Sequence, residues 1–210
     1  MNRLKIVTVT GTPGAGKTFF SKMIAERCPC AKIIEINDIL NEAKAYSGID
    51  ALGSKIASIG KLNRAIKRRL NREQSNSCFI VLSGHLAPEL DLNYDLSFVV
   101  RAPLKVIERR LRERGYKKEK ISENLIAEGL DYCGETIRTK SRKVYEIETQ
   151  LQKRFALKLV SSICAANKQK NTLQKKEMEK IEGYLPNSID KSPELYAMLK
   201  ARKITQKPLV

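Results

Sequence analysis

Gly11-Thr12-Pro13-Gly14-Ala15-Gly16-Lys17-Thr18 fits the pattern G-x-x-x-x-G-K-[ST] in full. That spacing suits one task, the cradling of a polyphosphate. Glycines let successive backbone N–H groups turn inward, and a helix opening at Lys17 adds its positive end. Lys17 can reach β- and γ-phosphates, and the Thr18 hydroxyl can ligate Mg²⁺. A chance glycine-rich turn would not need a strand before it and a helix after it; this run has both. The ligand implied is a nucleoside triphosphate with Mg²⁺.

Two further groups could act on such a ligand. Arg109-Arg110-Leu111-Arg112-Glu113-Arg114-Gly115-Tyr116 gathers four arginines at one helix end. Phosphoryl transfer needs positive charge placed around the moving group more than covalent help. Arg109 and Arg112 read as ordinary solvated helix charges. Arg114, beside a glycine hinge, is the better candidate for a lid that closes over the nucleotide. His85, the single histidine, follows a strand in Leu82-Ser83-Gly84-His85-Leu86. Ligands of α/β sheets bind beyond the carboxyl ends of the strands, which places His85 near the γ-phosphate. Its bland alternative is a loop hydrogen bond.

The elements that must position these groups follow from periodicity. Leu4–Thr10 is a β-branched run for a buried parallel strand, and Lys17–Arg27 is a helix. Strands are expected at Lys32–Ile36, Cys78–Leu82, Leu96–Val100 and Val144–Glu148. Helices are expected at Ile39–Lys44 (capped by Asn37-Asp38), 55–73, Pro103 to about Arg114, Lys118 to about Arg138, 150–166 and 192–203. Tyr46–Asp50 reads as a turn. Strands alternating with helices of this length predict an α/β fold: a five-stranded parallel sheet with helices on both faces, in the P-loop kinase manner. A helical, basic C-terminal extension follows. The expected division is a P-loop domain over 1–166 and the extension over 167–210.

Composition narrows the class. The 210 residues carry 40 Lys+Arg against 23 Asp+Glu, a net charge of +17, and 42% are apolar. That is too apolar for a disordered chain, and no run approaches a membrane span or an export signal, so a soluble cytoplasmic protein is expected, with no membrane partner. Five cysteines, an odd number lying mostly in apolar stretches, suit a reducing compartment better than a disulfide framework. The positive surplus points toward polyanions. It is uneven: +5 lies in 61–77, on one face of the predicted helix (Lys61, Arg64, Lys67, Arg68, Arg69, Arg72), and +8 lies in 149–210. The tail reads equally as an RNA-contacting segment and as a solvated one. A GTPase would need N-K-x-D; Asn167-Lys168-Gln169-Lys170 lacks the Asp. An AAA-type ATPase would need a longer chain and an acidic strand end. A small nucleotide or metabolite kinase fits better.

The chain resembles the adenylate kinase isoenzyme 6 family over residues 3–149. The resemblance rests on the 11–18 loop and, more specifically, on Arg110-Leu111, Arg114-Gly115-Tyr116, Lys120-Ile121, Glu123-Asn124 and Ala127-Glu128. Asn37-Asp38, Ser47–Asp50, Ser83-Gly84-His85 and Val144–Thr149 are similar to other family segments. The resemblance implies adenylate kinase activity (ATP and AMP to two ADP, or transfer to another nucleoside monophosphate) together with ATPase activity. It also implies a role in small ribosomal subunit maturation, with ribosomal protein uS11 and small-subunit rRNA as partners. A variant of this reading is an ATP-gated assembly factor with little monophosphate kinase activity. By position, ATP would contact Gly14, Ala15, Gly16, Lys17, Thr18 and Phe19, with Arg114 from a lid at about 113–123. Thr18 would hold Mg²⁺. Lys17, Arg114 and His85 would be catalytic, and the monophosphate segment would be about 36–59. The chain departs from the family pattern in three places. Ser83 stands where the family carries an acidic residue, Phe19 replaces a small hydroxyl residue, and residues 51–61 lack an acidic run. Asp91 or Asp95 is the expected substitute for the missing carboxylate, and Lys153 the expected base-side lysine.

Overall fold

The computed structural model describes residues 6–73, 77–169 and 183–201. Five parallel strands form the centre: β1 (Ile6–Thr10), β2 (Ala31–Glu35), β5 (Phe79–Ser83), β6 (Leu96–Val100) and β7 (Val144–Ile147), in the spatial order β2-β5-β1-β6-β7. β5 and β6 are buried at every position, which is why they read as unbroken apolar runs. One face packs under α1 (Lys17–Arg27), α4 (Leu104–Glu113), α5 (Lys118–Gly129) and α7 (Gln150–Gln169). Phe20, Ile24, Leu104, Leu111, Leu125 and Leu159 bury there beside Val7 and Val9. The other face packs under α2 (Ile36–Glu42), α3 (Ile59–Glu73) and α6 (Tyr132–Arg138), where Ile39, Leu62, Ile66 and Ile137 meet Ile80 and Leu82. The expected sheet and its two helical layers are therefore present.

Three local expectations change. Tyr46–Asp50 is not a bare turn: β3 (Tyr46–Ile49) pairs antiparallel with β4 (Lys55–Ala57) as a separate two-stranded sheet. Its loop is held by Asp50, which accepts from Leu52 N and Ser54 N. Asn37 and Asp38 do not cap α2; the helix already begins at Ile36, so both lie in its first turn. The single helix expected over 118–138 is two, because Asp131 adopts a left-handed conformation (φ 52) and its carboxylate caps α6 by accepting from Gly134 N.

The cause of that break is buried. Arg101, 1% exposed at the end of β6, donates to the Glu128 carboxylate (2.8 Å), the Asp131 carboxylate (2.6 Å), the Glu146 carboxylate (2.7 Å) and the Glu128 carbonyl (2.7 Å). Arg138 joins from α6, pairing with Asp131 and Glu146. Charges this deep persist only when paired. A continuous helix would carry Asp131 away from Arg101.

Part of the expected 167–210 extension packs on the rest of the chain. Residues 183–201, ending in α8 (Ser192–Ala201), lie against the sheet. Glu146 N donates to Pro186 O, Ile189 N to the Glu146 carboxylate, and buried Lys191 pairs with Glu148. Tyr184 stacks on Phe155 of α7 with ring centroids 4.1 Å apart. Leu195 fills the space that a Cβ on Gly129 would occupy. The lysine-rich stretch 170–182 and the last residues, 202–210, lie outside the described residues.

The cysteine expectation is also corrected. Cys28–Cys164 and Cys30–Cys78 are bonded as disulfides, and Cys133 alone is an unbonded, buried thiol. Odd number and apolar context gave no sign that helix ends and strand starts would bring four sulfurs together.

Candidate active site

At the carboxyl ends of the strands, residues 11–18 wrap a cavity of ≈ 420 Å³. The loop leaves β1 at Gly11, whose φ of 132 no other residue adopts readily; a Cβ there would stand 2.3 Å from Val100 O. The loop thus passes against the end of β6 only because position 11 has no side chain. α1 begins after Gly16, with no side-chain cap and no acidic residue in its first turn. Its leading N–H groups are left for an anion.

Lys17 folds back on the loop, donating to Gly11 O (2.8 Å) and Thr12 O (3.1 Å). Desolvation lowers its pKa to about 8. Thr18 and Phe19 are exposed beside it, Phe19 at 58%. His85 forms part of the cavity wall. Burial, then the Lys17 and Lys120 charges, lower it to about 4, so it is neutral at neutral pH.

The arginine cluster divides as charge logic suggested. Arg112 pairs with Glu108 and Arg109 with Glu113 on the exposed face of α4. Arg114 lines the cavity together with Tyr116. Arg110, which sequence reasoning did not single out as a site residue, is the one that touches the phosphate loop. Its Nη1 donates to Gly14 O (2.8 Å) and Ala15 O (3.3 Å). The one available signal was helical spacing: Arg110 and Arg114 are four apart and share a face. Lys153, from α7, completes this wall; desolvation, then Arg110, lower its pKa.

The missing carboxylate has a different source from the one expected. Asp95 accepts from Ile6 N at the far end of β1, and exposed Asp91 pairs with Lys67, so neither faces the cavity. Glu35 does. It ends β2 in register with Ser83 on β5, one strand across from the family's acidic position. Burial raises its pKa, opposed by the Ser83 hydroxyl and by Lys17. Sheet register, invisible in sequence, is what puts it there. A hydroxyl and a carboxylate are the hard oxygen donors that Mg²⁺ prefers, so Thr18 and Glu35 fit that ion.

Across the cavity, Lys117 donates to Ala51 O (3.3 Å), and Lys120 lies 3.8 Å from the Asp50 carboxylate. The 113–123 segment therefore meets the tip of the β3–β4 hairpin.

Comparison with known proteins agrees with this geometry. A family model described as an AAA domain matches residues 7–131. A Methanocaldococcus jannaschii protein named "Putative adenylate kinase" is 36% identical over 144 residues, covering 68% of this chain and 76% of the relative. The chain belongs to this archaeal adenylate kinase family. A family member from Methanosarcina barkeri is 30% identical over 190 residues, covering 88% of this chain and 96% of its own length. That match is too long to stop at residue 149, so the likeness to this relative runs on beyond it. Contrary to the expectation from length, a chain of 210 residues thus matches an AAA-domain model. Among solved structures, TT1252 from Thermus thermophilus (18% identity, TM-score 0.50, 76% of this chain and 97% of that one) shares the fold. So does an Acinetobacter baumannii shikimate kinase (14%, 0.50, 79% and 96%). The α/β P-loop kinase fold is thereby shown for this adenylate kinase family member.

Proposed function

We propose that the chain is an Mg²⁺- and ATP-dependent adenylate kinase that transfers the γ-phosphoryl group of ATP to AMP and hydrolyses ATP slowly when AMP is absent. The observation that carries this reading is the convergence of Lys17, Arg110, Arg114, His85 and Glu35 on one cavity at the strand ends. The loop N–H groups and α1 bind the phosphates. Lys17 exchanges its two carbonyl partners for phosphate oxygens, and the anion strengthens its hold on the proton. Arg110 and Arg114 stabilise charge on the group in flight, which is where such a reaction is accelerated. Neutral His85 holds a proton at one ring nitrogen and an acceptor at the other, suited to orienting the acceptor phosphate or a water. Thr18 and Glu35 would hold Mg²⁺, which would supply neutralisation of the phosphate charge. The hairpin side receives AMP, and its contact with Lys117 and Lys120 excludes water from the transfer. The decisive assay is ADP formation from ATP with and without AMP: a large acceleration by AMP is expected. Equal rates would leave water as the acceptor and defeat the kinase reading.

A second reading, favoured by the exposed basic face of α3, is an ATP-gated factor that binds uS11 or small-subunit rRNA. Lys61, Arg64, Arg68 and Arg72 all face solvent there. Retention of uS11 by the protein with ATP but not with ADP is the expected result; binding indifferent to nucleotide would reject it.

A further inference from the structure

At the opposite end of the sheet from the cavity, four cysteines meet. Cys28 closes α1, Cys30 precedes β2, Cys78 precedes β5, and Cys164 projects from α7. Their Sγ atoms all lie within 4.8 Å of one another. Cys28, Cys78 and Cys164 are buried and Cys30 is partly so. Two disulfides account for two of the six distances among four sulfurs. They give no reason for the other four to be short, yet these are 3.5 Å (Cys28–Cys30), 3.7 Å (Cys28–Cys78), 3.2 Å (Cys30–Cys164) and 3.9 Å (Cys78–Cys164).

We propose that these four residues form a mononuclear, tetrahedral Cys₄ site for Zn²⁺. Four thiolates around one zinc at about 2.3 Å stand about 3.8 Å apart, which three of those separations approach within about 0.3 Å and the fourth, Cys30–Cys164 at 3.2 Å, falls short of. An iron–sulfur cluster needs its ligands further apart than this packing allows, and thiolate donors exclude Mg²⁺ and Ca²⁺. Reduction of the two disulfides by a dithiol gives four thiols. Zinc binding then releases their four protons to solvent, with no change of oxidation state in metal or sulfur. The complex carries two negative charges, and Arg27 and Lys32 adjoin its first two ligands in the chain. With no ligand position open the site is structural. It fastens the starts of β2 and β5 and the end of α1 to α7, the helix that carries Lys153 to the nucleotide cavity.

The test uses the full-length protein, produced with zinc available and purified without oxygen. Metal content is measured by mass spectrometry and thiols are counted in denaturant with chelator. About one zinc per chain with all five cysteines titrating as thiols is expected. A cobalt-loaded sample should show thiolate-to-metal charge transfer and the red d–d bands of tetrahedral Co²⁺. Cys30→Ser and Cys164→Ser should each cut the zinc content at least about tenfold. Should those variants fail to fold, the wild-type metal and thiol counts decide alone. A single titrating thiol would identify two stable disulfides and overturn the site. So would five thiols without zinc, or zinc retained in both serine variants. None of these readings depends on kinase activity, so the zinc site and the proposed function stand or fall separately.

Discussion

Lys17 meets its ligand with its charge already weakened. Desolvation takes its pKa to about 8, and polyphosphate restores the charged form. ATP affinity should therefore be flat below pH 8 and fall about tenfold per unit above it, until the pKa of the complex is passed. Calorimetry in buffers of different ionisation enthalpy should show proton uptake on binding near pH 9. Lys17→Ala should lower ADP formation about 100-fold or more, measured as kcat/KM. His85 carries an opposite lesson, for stability. The unfolded chain binds more protons than the native one between about pH 4 and 6.5, so acidification through that window destabilises the fold, by about 2–3 kcal/mol at this residue. The difference in urea stability between wild type and His85→Gln should shift by that amount across the window. Glu35→Gln should raise the Mg²⁺ needed for half-maximal activity at least about tenfold, where Asp91→Asn and Asp95→Asn leave it unchanged. Lys17, Thr18 and Arg114 were legible because a motif or a glycine hinge marks them. Lys153 was reached only through the family resemblance, and Glu35 and Arg110 were not legible, because each reaches the cavity by strand register or helix face rather than by a local pattern.

Among the elements, those bounded by sharp punctuation read cleanly. Leu96–Val100, stopped by Ala102-Pro103, and Lys17–Arg27, opened by the glycines, have the observed bounds. The β3–β4 hairpin escaped because its strands are four and three residues long and mostly exposed, leaving no alternation to read. The break between α5 and α6 escaped because its cause is 30 residues away, at Arg101. Gly129 and Asp131 were the local hints, a helix-end glycine and a capping aspartate. Arg101→Leu should cost about 3–5 kcal/mol in denaturant unfolding, since it takes the arginine from buried Glu128 and leaves Glu146 to Arg138 alone among cations. The loss should be smaller when Glu146→Leu is added.

Over the whole molecule, packing reaches into the basic extension, and charge divided more finely than the net figure suggested. The packed segment 183–201 is held by backbone pairing, a buried lysine and two buried leucines, Leu185 and Leu195, a pairing that composition does not reveal. Ending the chain at residue 182 should therefore cost about 3–5 kcal/mol of stability. A tail deletion would confound any RNA measurement for that reason. Replacing Lys61, Arg64, Arg68 and Arg72 with glutamine leaves the core intact. It should reduce the slope of log K against log salt for RNA by about 0.7–0.9 for each phosphate that is no longer neutralised; an unchanged slope would clear this face of any role. One hydrogen bond from that segment reaches further. The Glu194 carboxylate accepts from Leu104 N (2.6 Å), at the start of the helix that ends in Arg110 and Arg114. The helix that arms the phosphate loop is anchored by a residue 90 positions further along the chain. Any change that frees Glu194 therefore unfastens the arginine helix from a distance, with the phosphate loop itself untouched.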